Sequence, residues 1–141
     1  MVSNVILARV SETPILLDAV LTAVSSDDAG AVASFSGVVR NHDRGRTVLR
    51  LEYEAHPSAD DLLRSAAETI SAEFPEVRIA VEHRTGSLEV GDLALACAVS
   101  SAHRAESFAA CARLVDEVKN RVPIWKRQHF ADGSTEWVGV E

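Results

Sequence analysis

Lysine is almost absent from this chain. Of its 14 basic side chains only two are lysines, Lys119 and Lys126, and the rest are arginines. Cysteine is equally scarce: Cys97 and Cys111 stand alone, with no CxxC and no histidine at ligand spacing, which excludes a zinc ribbon or a disulfide framework. Cys97 lies in an apolar run and Cys111 on a helical apolar face, so both read as buried, inert thiols. No apolar run approaches the ~20 residues that span a bilayer. The first ten residues have no basic segment followed by an apolar one, so no signal peptide is predicted and the chain reads as cytosolic. GxGxxG, P-loop, GxSxG and HExxH signatures are all missing, and no metal or cofactor is expected.

What is present is a chain of 141 residues with 47% apolar content, enough for one domain spanning 1–141 with its own core. The formal net charge of −7 argues against a general nucleic-acid binder. Positive charge is nevertheless local. Arg40 to Arg50 carries four arginines and His42, and Lys119 to Arg127 carries four cations. Two cationic segments on an acidic protein suit a local anion site as well as they suit solvated surface charge.

Pattern and punctuation predict an α+β chain of about three helices against a largely antiparallel sheet. Strands are expected at Val2–Val10, Ala31–Arg40, Thr47–Glu54, Val77–Arg84, Leu93–Val99, Ile124–Phe130 and Glu136–Val140. The second and third are expected to form a hairpin, and the last two to close around Asp132-Gly133. Helices are expected at Ile15–Val24 behind Thr13-Pro14, at Ser58–Phe74 with Ser58 as the cap, and at Ala102–Arg121, which Pro123 ends. Gly86–Gly91 reads as a turn. On the third helix Phe108, Cys111, Val115, Val118 and Val122 form an apolar stripe.

Three segments carry candidate chemistry. Lys119 sits beside that stripe, where partial desolvation would lower its pKa, and Lys126 lies on the strand after Pro123. A break at Pro123 could fold that strand back and bring the lysines together. Arginine stays charged at any working pH, whereas lysine can give up its proton, so two clustered lysines in an arginine-rich chain point to chemistry as readily as to compositional chance. His103 and Arg104 place cations in the first turn of a helix, where the dipole disfavours them, which marks an anion site as readily as a pair neutralised by Glu106 or another carboxylate. Arg40 ends a buried strand in which Gly37 suggests a bulge or a close backbone approach. His56, His83 and His129 read as surface or structural histidines. Arg40, His103 and Arg104 are expected around one common void.

Several stretches, in order, resemble the large catalytic subunit family of molybdopterin synthase. They are Gly30-Ala31-Val32, Phe35-Ser36-Gly37-Val38-Val39-Arg40, Leu51-Glu52-Tyr53-Glu54-Ala55, His83-Arg84-Thr85-Gly86, Gly91-Asp92, Ser101-Ala102-His103-Arg104, and Lys119 to Lys126 as K-x-R-x-P-x-W-K. One departure is His56, where the family usually carries tyrosine. The resemblance implies an α/β-hammerhead domain with an additional antiparallel sheet. It implies a homodimer within a heterotetramer, each large subunit binding a small ubiquitin-like sulfur carrier whose C-terminal Gly-Gly ends in a thiocarboxylate. It implies sulfur transfer to cyclic pyranopterin monophosphate, making molybdopterin for molybdenum cofactor biosynthesis. By that likeness Lys119 and Lys126 are catalytic, while Arg40, His103, Arg104 and Phe35 bind substrate. The rival readings are a non-catalytic paralogue that only docks such a carrier, and a phosphate-binding enzyme of unrelated chemistry.

Overall fold

The computed structural model describes residues 3–139. Its elements run β1 (Val5–Ser11), α1 (Leu17–Ala23), β2 (Ala31–Val38), β3 (His42–Asp43), β4 (Arg46–Ala55), α2 (Ala59–Glu73), β5 (Arg78–Arg84), β6 (Gly86–Glu89), β7 (Leu93–Ser101), α3 (Arg104–Arg121), β8 (Ile124–Phe130) and β9 (Thr135–Val138). The class is mixed α+β. One sheet has the order β1-β5-β7-β2, with β1 and β5 parallel and the other pairs antiparallel. The second has the order β3-β4-β8-β9, with β6 also paired to β4. Among the described residues no helix is long and apolar enough to cross a membrane.

The first sheet has helices on both faces. Strand β7 is therefore buried on both sides from Ala94 to Ser101, as its unbroken apolar run predicts. On one face α2 and α3 enclose Leu63, Ile70, Ile79, Val81, Val99 and Leu114, all fully buried. Each such side chain is worth about 1.5–3 kcal/mol relative to exposure. Val20 and Val24, in α1 and just beyond it, cover Ala80, Ala96 and Ala98 on the other face. A third cluster, Val39, Val48, Leu51, Leu88, Ala94 and Phe130, lies along the inner face of the second sheet.

Several expectations need correction. Strand β2 does not pair with β4: it runs antiparallel to β7 along its length, while β4 takes β8 and β6. Alternation sets which face of a strand is buried, but it does not choose the neighbour. Only His42–Asp43 turns back on Arg46-Thr47, through Arg44 and Gly45 at positive φ. Gly86–Glu89 is a strand rather than part of a turn. Helix α1 begins at Leu17, leaving Thr13-Pro14 in the approach, where Ser11 and Thr13 hydroxyls bond each other. Ser58 precedes α2 without a side-chain capping bond, and its Oγ is instead 2.8 Å from His56 Nδ1. The stripe on α3 is Ser107, Ala110, Cys111, Leu114 and Val118; Phe108 is 66% exposed. The end of the expected last strand, at Val140, lies outside the described residues.

Two glycines are there for space. A β-carbon on Gly30 would stand 2.7 Å from the Ala102 carbonyl oxygen, so the turn before β2 can lie against the start of α3 only without one. Gly37 marks a shift in the β2–β7 register, as a bulge would, and lies under the Phe35 ring.

Candidate active site

The end of α3 and the start of β8 build one pocket. Arg121 fastens the last turn of α3 to α2, donating to Thr69 Oγ1 and Ser65 Oγ at 3.0 and 2.9 Å while pairing with Glu117 at 3.0 Å. Pro123 stops the helix, and the His56 N–H donates to the Pro123 carbonyl, which starts β8 alongside β4. The antiparallel register then sets Lys126 opposite Tyr53 on one side and Val138 on the other. Alternation does the rest. Lys126, Gln128 and Phe130 share the inner face of β8, whereas Trp125 points out.

The result is a cavity of about 150 Å³ lined by Lys119, Lys126, Tyr53, His83, Leu95 and Val118 among others. The two lysines expected to meet do meet. Their environments are the reverse of expectation. Lys119 is one position beyond buried Val118, about 100° further round the helix, and its side chain lies exposed at the mouth. Lys126 is half-buried, and desolvation followed by the charge of Lys119 holds its ammonium below the usual lysine range. The half-buried member of the pair is thus Lys126, whereas Lys119, placed at the edge of the buried face by the helical pattern, is exposed.

Arg40 belongs to the same end of the molecule. It is exposed, lies 3.5 Å from Asp43, and its charge also lowers Lys126. Gln128 Nε2 donates to Asp43 at 2.9 Å, which is the chief reason that carboxyl sits below its ordinary range. Phe35 packs against the core, opposite Cys97 and over Gly37, and is not among the residues that line the pocket. Both thiols are pushed up, chiefly by burial, Cys97 strongly, as befits unreactive core residues.

His103 and Arg104 are elsewhere. Arg104 opens α3 and Lys119 stands near its far end, fifteen residues on, or about 22 Å along the axis. Strand pairing says the same, because Ala31, at the start of β2, faces Ser101, while Val38, near Arg40, faces Leu93. The common void expected for Arg40, His103 and Arg104 does not exist within one protomer. Sequence places cations on elements but cannot show which ends of those elements meet. Among the described residues no ion pair joins Glu106 to His103 or Arg104, so the neutralising alternative is not realised either.

Two lining residues were missed. Tyr53 is largely buried, which raises its phenol, and its place followed from alternation on β4 once the partner of Lys126 is known. His83 packs edge-on to Tyr53, ring centroids 5.3 Å apart, and its Nδ1 lies 2.8 Å from the Arg84 carbonyl. Burial, with a smaller push from Lys119, drives its pKa down to about 4. Unfolding restores an ordinary value near 6.5. The folded state therefore gains from neutral His83 above about pH 6.5 and loses that gain as pH falls toward 4, on the order of 3 kcal/mol over the window. Urea unfolding from pH 7 to 4.5 is expected to lose stability more steeply in wild type than in His83→Asn. Equal slopes would remove His83 from the acid response.

Comparison with known proteins identifies the family. The family model described as MoaE protein matches residues 10–121. The chain is 41% identical over 131 residues to the molybdopterin synthase catalytic subunit of Halalkalibacterium halodurans, covering 92% of this chain and 83% of that one. It is 40% identical over 134 residues to molybdopterin synthase catalytic subunit 1 of Mycobacterium tuberculosis, covering 93% and 89%. Among solved structures, molybdopterin synthase from Staphylococcus aureus superposes with a TM-score of 0.88 at 32% identity, covering 94% of this chain and 96% of that one. A family match over most of the chain, relatives of this identity and coverage, and a shared fold lead to one conclusion: this chain belongs to the MoaE protein family.

Proposed function

We propose that this chain is the catalytic subunit of a molybdopterin synthase, transferring sulfur from the thiocarboxylated C-terminus of a small ubiquitin-like carrier to cyclic pyranopterin monophosphate. The observation that carries the reading is the placement of both lysines of the chain in one cavity, one half-buried and one at the mouth. The substrate is a phosphate ester and the donor tail ends in an anion. A pocket holding Lys119 and Lys126, with Arg40 beside it, suits both. The carrier's sulfur forms the new carbon–sulfur bond, an oxygen on the pterin leaves, and an ammonium group gives that oxygen its proton. Water then cleaves the acyl–sulfur bond, releasing the carrier as a carboxylate, and a second thiocarboxylated carrier repeats the transfer to give the two sulfurs of the dithiolene. Lys126 is the better acid, because partial desolvation eases loss of its proton. Lys119, exposed at the mouth, holds the anionic reactants. Phe35 is assigned to substrate binding by the family resemblance alone. The protein supplies no sulfur nucleophile, in keeping with two buried thiols raised above the ordinary range.

The reading extends to one hammerhead-type domain over 1–141, working in the cytoplasm as a homodimer within a heterotetramer. In that assembly His103 and Arg104, a helix length away from their own lysines, can serve a sulfur-transfer pocket only in the neighbouring protomer. No resident metal or cofactor is invoked.

Reconstitution tests the proposal. The purified chain, mixed with thiocarboxylated carrier and cyclic pyranopterin monophosphate, should form molybdopterin. Without the carrier, inorganic sulfide should not substitute at a comparable rate. Carrier binding without product would instead favour a docking paralogue, and neither binding nor product would favour unrelated phosphate chemistry.

A further inference from the structure

The cavity contains one group that the sulfur-transfer reading has not used. His83 reaches it from β5, and its ring is fixed from two sides: Tyr53 meets it edge-on, with an interplanar angle of 76°, and Nδ1 lies 2.8 Å from the Arg84 carbonyl. A carbonyl oxygen can only accept, so Nδ1 carries the proton. In a neutral imidazole that leaves Nε2 as an acceptor, and among the described residues the ring's only protein hydrogen bond is the one made by Nδ1. The cationic donors lining this cavity are the ammonium groups of Lys119 and Lys126. The Lys119 charge is felt at His83, and Lys119 is the more exposed of the two, near the end of a helix.

We propose that His83 is a positioning residue of this pocket: locked as the Nδ1–H tautomer, it offers Nε2 as the acceptor that seats the Lys119 ammonium when the reactants enter. The role rests on the sulfur-transfer reading of the same site. A lysine at a pocket mouth samples many rotamers and loses side-chain entropy when held. A fixed acceptor at the cavity wall selects the inward set before chemistry starts.

The surroundings keep that acceptor available. The ionised groups facing His83 are Lys119 from α3 and Lys126 from β8. Tyr53 from β4 and Cys97 from β7 are both held neutral by burial. Opposite it in the sheet stand Leu95 on β7 and Val10 on β1, and α2 meets this face with Leu63, Ala66, Ala67 and Ile70. A third cation, on the imidazole, would repel both lysines, and burial, which lowers its pKa to about 4, prevents that at neutral pH.

Nitrogen NMR on the wild-type protein at pH 7 should show His83 with Nδ1 protonated and Nε2 bare; a protonated Nε2 would overturn the proposal without any variant. Two substitutions then separate positioning from packing. His83→Asn retains a donor for the Arg84 carbonyl but puts nothing at Nε2, whereas His83→Gln can carry a carbonyl oxygen toward that place. With wild-type reconstitution as reference, His83→Asn is expected to lose about tenfold in single-turnover rate, with carrier affinity unchanged. The alkaline limb of its pH–rate profile, set by Lys126 as the acid, should move to higher pH, because the Lys119 charge that lowers Lys126 is no longer held beside it. His83→Gln should recover most of the rate and the limb. Wild-type rate and profile in His83→Asn would overturn this role alone. Equal losses in both variants with an unmoved profile would reduce His83 to packing and also overturn it. No product from the wild-type protein would sink the sulfur-transfer reading, and this role with it.

Discussion

Lys126→Arg should fold, bind the carrier, and lose about 10²-fold or more in single-turnover rate, the usual scale for a proton-transfer group. The charge is conserved, so an electrostatic role would survive the change. A guanidinium keeps its proton at any working pH and so cannot supply it to a leaving oxygen. Lys126 is the member of the pair for which this matters. It sits on the inner face of β8 between Tyr53 and Val138, and burial holds its ammonium below the ordinary range. A rate within a few-fold of wild type, in a variant shown to bind carrier normally, would mean that the proton comes from another group.

Lys119 should answer differently to the same replacement. Its side chain is exposed at the mouth, where charge and reach matter more than proton donation. Lys119→Ala removes the cation and is expected to cost about 10²-fold, comparable to other losses of a charge-stabilising group in an active site. Lys119→Arg restores the charge and should stay within about tenfold of wild type. If Lys119→Arg were as damaged as Lys119→Ala, proton transfer or covalent attachment at Lys119 would have to replace electrostatic holding.

The meeting of the lysines illustrates what a sequence can reveal. That Lys119 and Lys126 lie on a helix end and a following strand was legible from the α3 stripe and from Pro123. That the strand folds back along β4 was not, because it depends on the Tyr53–Lys126 register. The burial of β7, the close approach at Gly37 and the inert thiols were legible for the same reason: each is a property of one element's own pattern. Pairings between elements were not. The hairpin expected for β2 and β4 gave way to β2–β7 and β4–β8 pairs, and the anion site expected for Arg40, His103 and Arg104 is divided by the length of α3. His83 was hidden by a different limit. A lone histidine on a strand has no spacing signal, and only the cavity shows which way its ring faces.

The central claim is that the lysine pocket is where sulfur passes to the pterin. One measurement addresses it most directly: molybdopterin formed in a single turnover by the wild-type chain and by the Lys119→Ala/Lys126→Ala variant, each saturated with thiocarboxylated carrier. The expected result is product from wild type and none above background from the doubly substituted chain, with the carrier bound equally by both. Product from that variant within tenfold of the wild-type rate would contradict the account.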